Sequence, residues 1–290
     1  MEPLVYIILL NYNGANDTIE CINSIENIKY KNYKIIIVDN NSTDNSLEIL
    51  MKYIGNKHKI ISSNKNNGFS FGNNIGIKEA INQGADYVLL LNNDTLVEKD
   101  FLNHLVSSIK ENVGIAIGKI YYEKDRKRLW YDGGSINKKI GKVIHYNYNC
   151  IDKNYNYSEK KVSFATGCCM LIPISIFSSV GLLDESYFLY YEDADYSSKV
   201  SAAGYDIVYN PKSIIYHKVS ATTGKKSSLT QYYMARNALL FINNNINKKY
   251  KVFSIIYFYI KSIWLLLKGE ISFKAYFNGV KDYYKNIAYK

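Results

Sequence analysis

The chain has 290 residues and a mass of 33.4 kDa, and its residues are 47% hydrophobic and 21% charged. This length and composition exclude a peptide hormone, a disulfide-knot toxin and a disordered chain, and they predict one large α/β domain or two domains that share an interface. The net charge of +10 is unevenly placed, because residues 1–224 carry 24 basic and 24 acidic side chains whereas residues 225–290 carry 12 basic and two acidic ones.

The cysteines and the amino terminus bear on the cellular compartment. The four cysteines show no CxxC spacing, and the adjacent pair Cys168 and Cys169 cannot easily share a metal or form a bond with each other, so a zinc site is not expected. The chain enters an apolar block directly after Pro3, without the pattern of a signal peptide. We therefore expect a cytoplasmic protein with reduced thiols.

The first hundred residues alternate strand and helix patterns. Asp17 and Glu20 have the spacing of a capping box before a run of isoleucines every three residues, and Asp44 opens a second helical pattern. A third helix is predicted over residues 68–83, and short apolar runs predict buried strands at 5–10, 35–38, 60–61 and 87–91. This order predicts an α/β fold with a doubly wound, mostly parallel sheet.

The rest of the chain is less regular. Helices are predicted at 101–110 and 192–203, strands at 115–121, 164–172 and 214–217, hairpins within 122–160, and a movable loop at 220–228. Two further helices are predicted at 229–243 and 252–267. The second has 16 residues and contains Lys261, so at about 24 Å it is too short and too charged to predict a helix that spans a bilayer.

Two aspartates, Asp39 and Asp94, come directly after apolar runs of the predicted sheet. In such a sheet the loops after the carboxyl ends of the strands form the ligand crevice. A carboxylate there either meets a divalent cation that bridges phosphate oxygens or caps the turn that follows. For each of these aspartates both interpretations remain open on the residues alone.

In these stretches the chain resembles the inverting glycosyltransferases of family 2, which have the GT-A fold, and especially their rhamnosyltransferase-like branch. The similarity covers about two thirds of the chain, in the order of the family, and the matching stretches are residues 7–13, 36–44, 66–76, 88–95, 167–171 and 180–204. The resemblance implies a nucleotide-sugar-binding half at 1–100, an acceptor-binding and catalytic half at 101–228, and a basic, apolar helical tail at 229–290.

The resemblance also assigns residues to the donor. It implies that Asp39 accepts the imide N–H of uracil or thymine, as an acceptor-only carboxylate can. The residues that it places beside the nucleotide sugar are Asn11, Tyr12, Asn67, Gly68, Asn73 and Asn93. Asp94 corresponds to the last aspartate of the family's DxD motif, although Asn92 stands at the first position, and it would hold Mg²⁺ or Mn²⁺ on the diphosphate.

Four carboxylates within 12 residues precede and open the predicted helix at 192. Acidic side chains stabilise a helix N-terminus, which is one explanation, but crowded carboxylates in a cleft also raise each other's pKa and make a competent base. The family's base falls on Asp193, and Glu192 and Asp195 are then orienting or acceptor-binding neighbours.

Three more residues have two readings each. His217 ends a strand and is either a structural residue or a ligand of the metal or diphosphate. Arg236 either reaches the diphosphate or flanks the core, and Trp130 is a candidate to stack on an acceptor sugar.

The function predicted from the sequence is transfer of a sugar from dTDP-rhamnose or a UDP-hexose to a hydroxyl of a glycan or lipid-linked acceptor. A sugar nucleotidyltransferase and a non-catalytic nucleotide-sugar-binding protein are the alternatives. A nucleic-acid partner is not expected because the body is neutral. Residues 248–268 are expected to dock the enzyme on the cytoplasmic face of an anionic membrane, or else to pack on the body or form a homodimer.

Overall fold

The computed structural model describes residues 2–153, 158–219 and 227–287. The strands are β1 (Val5–Asn11), β2 (Tyr33–Asp39), β3 (Lys59–Ser62), β4 (Tyr87–Asn92), β5 (Thr95–Val97), β6 (Val113–Tyr122), β7 (Asp125–Tyr131), β8 (Gly134–Asn137), β9 (Lys142–His145), β10 (Lys160–Val162), β11 (Cys169–Pro173) and β12 (Asp206–His217). The helices are α1 (Ala15–Glu26), α2 (Ser46–Ile54), α3 (Gly68–Asn82), α4 (Phe101–Ser108), α5 (Ile174–Val180), α6 (Glu192–Ala202), α7 (Ser228–Asn245), α8 (Lys248–Leu267) and α9 (Phe273–Tyr284).

The first four strands form the parallel sheet that their sequence predicts. Their spatial order is β4, β1, β2, β3, and each is joined to the next along the chain by a helix. Apolar runs such as Ile35–Val38 are buried on both faces, as expected for strands covered by crossover helices on each side. The predicted α/β, doubly wound architecture is confirmed.

The same sheet continues into the second half of the chain. Strand β11 runs antiparallel between β4 and β6, and β6 pairs in parallel with β12, so one sheet carries residues from both halves. Because β11 starts where β4 ends, Asn92 N–H donates to Cys168 O at 2.9 Å. This contact brings the segment before β11 to the carboxyl edge of the parallel strands.

Several predicted boundaries were wrong. Strand β11 begins at Cys169 and not at residue 164, because the preceding segment turns toward helix α6. Strand β12 begins at Asp206 and includes Pro211, since a register shift between Asn210 and Ile214 accommodates a residue without an N–H.

The predicted capping box in the first helix was also wrong. Helix α1 starts at Ala15, and Asp17 and Glu20 both accept from Lys218 Nζ, at 2.8 and 2.6 Å. Of the predicted movable loop at 220–228, residues 220–226 lie outside the described residues.

The tail contains three helices instead of the two predicted. Helix α8 has 20 residues and is therefore about 30 Å long, so the predicted length of 16 residues was an underestimate. Helix α9 was not predicted, although Ser272 caps its N-terminus and its aromatic residues recur at helical spacing. It packs on α7 through its buried Ala275, Gly279 and Asp282.

Candidate functional site

The polar residues at the ends of the parallel strands meet at one edge of the sheet. Asn11, the last residue of β1, lies in register with Asp39, the last of β2, and Leu10 is in register with Asn92 of β4. The strand ends predicted to form a ligand crevice are therefore neighbours, as the carboxyl ends of adjacent parallel strands must be.

Four residues at this edge form one chain of hydrogen bonds. Asn11 Nδ2 donates to Asp39 Oδ1 at 2.8 Å, Thr18 Oγ1 donates to Asn11 Oδ1 at 3.0 Å, and Asn93 Nδ2 donates to Thr18 Oγ1 at 2.8 Å. The chain holds the predicted donor-binding residues Asn11, Asp39 and Asn93 in fixed rotamers. Thr18 is the link that the sequence analysis did not name.

Asp39 also caps the turn that follows β2. Its Oδ2 accepts from Ser42 N–H at 3.0 Å, and its Oδ1 accepts from Ser42 Oγ at 2.6 Å. The cap and a role toward a base are compatible, since an ionised carboxylate offers about four acceptor positions. The next residue, Asn40, is buried, and its Oδ1 has no hydrogen-bond partner among the residues that the structure describes. Asn40 is a polar group at the site that sequence reasoning missed.

The other predicted donor-binding residues differ in exposure. Tyr12 follows Asn11 and leaves 44% of its surface exposed, so its ring is available to a ligand. Asn67 precedes helix α3 and is half-buried. Asn73 is 2% exposed and its Nδ2 donates to Phe69 O at 3.0 Å, which makes it a brace of the first turn of α3.

Gly68 allows two loops to cross in contact. Its φ is +90°, and a Cβ at this position would lie 2.1 Å from Phe188 O. The neighbouring Phe69 N–H donates to the same Phe188 O at 2.7 Å. The glycine therefore joins the start of α3 to the segment that leads into α6, and its first role in this structure is that close approach.

Asp94 and His217 are brought together from positions 123 residues apart. Strand β5 pairs antiparallel with the end of β12, which places His217 Nε2 3.1 Å from Asp94 Oδ1. Trp130 packs edge-to-face on the His217 ring at a centroid distance of 4.6 Å. The backbone N–H of Lys218 donates to Asp94 O at 2.9 Å, and the ammonium group of Lys218 is bonded to helix α1.

The donor set at Asp94 and His217 fits a divalent cation that is held partly by its substrate. Across the described ranges, no group of three His, Cys, Asp or Glu side chains is placed to hold a metal ion. A carboxylate and an imidazole supply two ligands, and Mg²⁺ and its relatives commonly complete their coordination with phosphate oxygens and water. The geometry is thus suited to a metal that binds together with a diphosphate.

Asp193 lies in the first turn of α6 and faces the segment before β11. Its Oδ2 accepts from Gly167 N–H at 3.1 Å and its Oδ1 from Ala194 N–H at 2.8 Å. Burial raises the pKa of Asp193 from 3.8 to about 6, against the opposing effect of these N–H groups. Because Cys168, the residue after Gly167, bonds to Asn92, the carboxylate lies beside the end of β4.

The two acidic neighbours of Asp193 have different surroundings. Glu192 is 6% exposed, and burial followed by the charge of Asp193 raises the pKa of Glu192 well above its ordinary value. Its Oε2 has no hydrogen-bond partner among residues 2–153, 158–219 and 227–287.

Asp195 does not face the crevice, so its predicted acceptor-binding role was wrong. It is fully buried, its Oδ2 lies 2.7 Å from Lys199 Nζ, and its Oδ1 accepts from Asn245 Nδ2 at 2.7 Å. It is an anchor between α6 and α7.

Arg236 is likewise not directed at the diphosphate position. The residue is 4% exposed, its Nε donates to Ile287 O at 2.8 Å, and its Nη1 donates to Ser186 O at 3.0 Å. The core-flanking alternative describes it, because a guanidinium engaged by two backbone carbonyls inside the protein has its donors directed away from solvent.

The residue next to it, Asn237, supports the catalytic segment and was missed by the sequence analysis. Its Nδ2 donates to Leu189 O at 2.8 Å and to Tyr190 O at 2.9 Å. Tyr190 and Tyr191 both have left-handed backbone conformations, with φ of 70° and 72°, directly before helix α6. Such conformations are costly for a non-glycine residue and persist where neighbouring groups hold them.

Comparison with known proteins agrees with this geometry. The family model described as Glycosyl transferase family 2 matches residues 6–181. The dTDP-rhamnosyl transferase RfbF of Shigella flexneri is 23% identical over 272 residues, which are 89% of this chain and 88% of the relative. Rhamnosyltransferase WbbL of Escherichia coli (strain K12) is 29% identical over 219 residues, 72% of this chain and 81% of the relative.

Solved structures share the fold at low sequence identity. The mannosyltransferase PcManGT from Pyrobaculum calidifontis, in complex with GDP-Man and Mn²⁺, superposes with a TM-score of 0.61 at 14% identity and 84% coverage of this chain. GalNAc-T7 with UDP, GalNAc and Mn²⁺ gives 0.64 at 17% identity and 81% coverage. This chain spans 64% of the first solved chain and 47% of the second, less than two thirds of either.

These structural likenesses identify the fold as GT-A. The family match covers more than half of the chain and includes the strand ends that carry Asn11, Asp39 and Asp94. The chain is therefore a glycosyltransferase that belongs to family 2 and is similar to the rhamnosyltransferases of that family.

Proposed function

We propose that this glycosyltransferase transfers a sugar, with inversion, from a nucleoside diphosphate sugar to a hydroxyl of a glycan or a lipid-linked acceptor. dTDP-rhamnose is the first candidate donor, because the relatives with the longest matches include proteins named as rhamnosyltransferases. UDP-hexoses are the second. The single observation that carries the proposal is the position of Asp193, a carboxylate with a raised pKa beside the strand end that bears Asp94.

The donor's base is proposed to lie against Asn11, Tyr12 and Asp39. Uracil and thymine present an imide N–H, and Asp39 has an acceptor position beyond the three hydrogen bonds that it accepts from Asn11 and Ser42. The exposed ring of Tyr12 offers a surface for stacking on the base. Asn67, Asn93 and the unpartnered Oδ1 of Asn40 would line the path toward the sugar.

Asp94 and His217 are the residues that would hold Mn²⁺ or Mg²⁺. Two solved proteins of similar fold contain Mn²⁺ together with a nucleotide or nucleotide sugar. When bound, the cation supplies positive charge that stabilises the negative charge that develops on the leaving diphosphate. Trp130, which packs on His217, lies where it can contact the acceptor sugar.

Asp193 is proposed to act as the general base, with Glu192 as an acceptor-binding neighbour. The acceptor hydroxyl oxygen attacks the anomeric carbon, the bond from that carbon to the diphosphate oxygen breaks with its electron pair, and the hydroxyl proton moves to the Asp193 carboxylate. A base with a pKa of about 6 is largely ionised at neutral pH and still basic enough to accept the proton. The N–H groups of Gly167 and Ala194 keep its oxygens in place.

A donor panel tests the proposal directly. The protein is mixed with dTDP-rhamnose, UDP-glucose, UDP-galactose or GDP-mannose and Mn²⁺, and the released nucleoside diphosphate is measured with and without glycan acceptors. We expect one dTDP- or UDP-sugar to be consumed. Asp100→Asn, which alters an exposed aspartate paired with Lys29, is the control for Asp193→Asn.

Two results would contradict the proposal. Release of pyrophosphate from a nucleoside triphosphate would indicate a nucleotidyltransferase. Tight binding of a nucleotide sugar that is never consumed, with any acceptor in the panel, would indicate a non-catalytic binding protein.

A further inference from the structure

Helices α8 and α9 each expose one continuous apolar stripe. At about 100° per residue, the exposed residues of α8 fall within about 120° of its circumference, and those of α9 fall within about 40°. The stripes consist of Val252, Phe253, Ile256, Ile260, Ile263, Trp264 and Leu267 on α8, and of Phe273, Phe277 and Tyr284 on α9. Leu267 is 84% exposed and Phe273 is 69% exposed, so these are side chains that face solvent fully.

The opposite faces of both helices are attached to the body. Ser254 of α8 is fully buried and its Oγ donates to Lys139 O at 2.9 Å. Asp282 of α9 accepts from Tyr232 of α7 at 2.9 Å, and a Cβ on Gly279 would lie 2.4 Å from Tyr232 O. These contacts fix the orientation of the helices, so the apolar stripes are presented outward by a rigid support.

Basic side chains border the stripes. Lys268 Nζ lies 3.8 Å from the centre of the Trp264 ring on α8, and on α9 the exposed Lys274, Lys281 and Lys285 follow the stripe along one side. Residues 248–287 contain eight lysines and only two acidic residues, one of which is the buried Asp282. An apolar surface with a cationic border is complementary to the headgroup region of an anionic bilayer.

We propose that α8 and α9 together form a docking surface for an anionic lipid bilayer, lying in its headgroup region and not crossing it. This inference concerns the tail and goes beyond the proposed function. Phe and Trp side chains would enter the boundary of the acyl chains while the lysines reach the phosphates. The docked surface would stand one helix away from the catalytic segment, because α7 contacts α9 on one side and holds the carbonyls of Leu189 and Tyr190 on the other.

Two other occupants are less compatible with the structure. Helix α8 is, among the residues that the structure describes, the one helix long and apolar enough to cross a membrane by length and composition. Crossing would break its contacts with the body at Ser254 and at Phe258, which stacks on Tyr276 of α9. A second copy in a two-fold arrangement would place the lysine border of one protomer against that of the other, which is unfavourable.

The test is vesicle flotation of the full chain. Vesicles of neutral phosphatidylcholine are compared with vesicles that contain 30 mol% phosphatidylglycerol, at low and high salt. We expect binding to the anionic vesicles that weakens as salt rises. Replacing Lys274, Lys281 and Lys285 together with Gln should weaken binding about 100-fold, a factor of about five per charge. Gln at the exposed Lys52, Lys124 and Lys127 is the matched control and should have little effect.

The apolar contribution is tested separately. Phe273→Ser with Phe277→Ser should reduce binding at least tenfold, whereas Met51→Ser with Tyr53→Ser, a similarly exposed pair on α2, should not. Point changes at exposed positions are preferable to truncation, because removing α9 would uncover Tyr232 and Arg236. Unchanged thermal unfolding would show that each variant is folded.

Four outcomes would overturn the proposal. These are no binding to either vesicle, equal binding to neutral vesicles in high salt, retention in the bilayer after alkaline carbonate extraction, and a stable dimer in solution that Phe277→Ser dissociates. The first two contradict the electrostatic docking, the third indicates a spanning helix, and the fourth indicates a second copy as the occupant. None of these readouts depends on donor chemistry, so the docking surface and the proposed function can fail independently.

Discussion

Replacing Asp193 with Asn removes the proposed base with little change in shape. An amide cannot accept the acceptor's proton, so transfer should fall by about 10²- to 10⁴-fold. The affinity for the nucleotide sugar should change little, because Asp193 acts on the acceptor and the donor's base lies at Asn11 and Asp39. Steady-state transfer and calorimetric binding of the donor measure the two effects separately.

The pH dependence of the wild-type enzyme follows from the same carboxylate. With a pKa of about 6, Asp193 is ionised above that pH, so kcat/KM should fall about tenfold for each pH unit below it. At pH 5 about a tenth of the plateau value should remain. A profile that stays flat from pH 8 to pH 5 would refute the assignment, as would an Asp193→Asn enzyme with more than about a tenth of wild-type turnover.

Burial of Asp193 also predicts an effect on stability. The pKa in the folded state lies above the ordinary value of 3.8, so the folded protein binds the proton more tightly than the unfolded chain does. The resulting stabilisation is present below about pH 4 and is lost as the pH rises through about 6. The difference amounts to about 3 kcal/mol at about 1.4 kcal/mol per pH unit.

This stability effect can be isolated from the other consequences of the substitution. Asn keeps an acceptor for Ala194 N–H but turns a donor toward Gly167 N–H, which is a cost that does not depend on pH. The free energy of unfolding of Asp193→Asn relative to wild type should therefore rise by about 3 kcal/mol between pH 4 and pH 7. Urea unfolding at several pH values measures it, with Asp100→Asn as the control. A constant difference over this range would show that Asp193 is not buried as described.

The remaining predictions concern the metal, the support of the catalytic segment and the crossing loops. Asp94→Ala should weaken Mn²⁺-dependent donor binding at least tenfold, and EDTA should have the same effect on wild type; full activity in EDTA would contradict the metal assignment. Asn237→Ala should lower kcat about 10²-fold with unchanged donor affinity, because the segment before Asp193 loses two hydrogen bonds, whereas the exposed Asn243→Ala on the same helix should be near wild type. Gly68→Ala should cost clearly more stability in thermal unfolding than Gly84→Ala, since both have positive φ but only Gly68 would place its Cβ 2.1 Å from a carbonyl oxygen; equal costs would show that the crossing adjusts freely.

Local sequence patterns were sufficient to predict the nucleotide-binding half of the fold. Apolar runs such as Val5–Asn11 end at polar turns, and the intervening helical spacing allows only crossover connections, so the parallel order of the first strands follows from short-range information. The ends of these strands also located Asn11, Asp39 and Asp94, because a carboxylate directly after a buried strand must lie at the edge of the sheet. Patterns of this kind hold within one element and its neighbours.

The sequence was less informative where the chain changes direction. Strand β11 enters between β4 and β6 in the opposite direction, and no local pattern distinguishes this from another parallel strand. Helix α9 has helical spacing but its sequence is rich in Tyr and Lys, so it became recognisable as a packed helix only through its contacts with α7. Its existence decides what covers Tyr232 and how the tail is held.

Tertiary structure alone decided which charged residues serve the site and which serve the fold. Asp193 and Asp195 are two positions apart in one acidic run, yet the first faces Gly167, 26 residues away in the chain, and the second pairs with Lys199 and Asn245 inside the protein. Likewise His217 meets Asp94 across 123 residues, while Arg236 donates to backbone carbonyls of the body. Composition and spacing determine that a residue carries charge, but its partners and its exposure to solvent depend on distant segments that only folding brings together, and those determine what the charge can do.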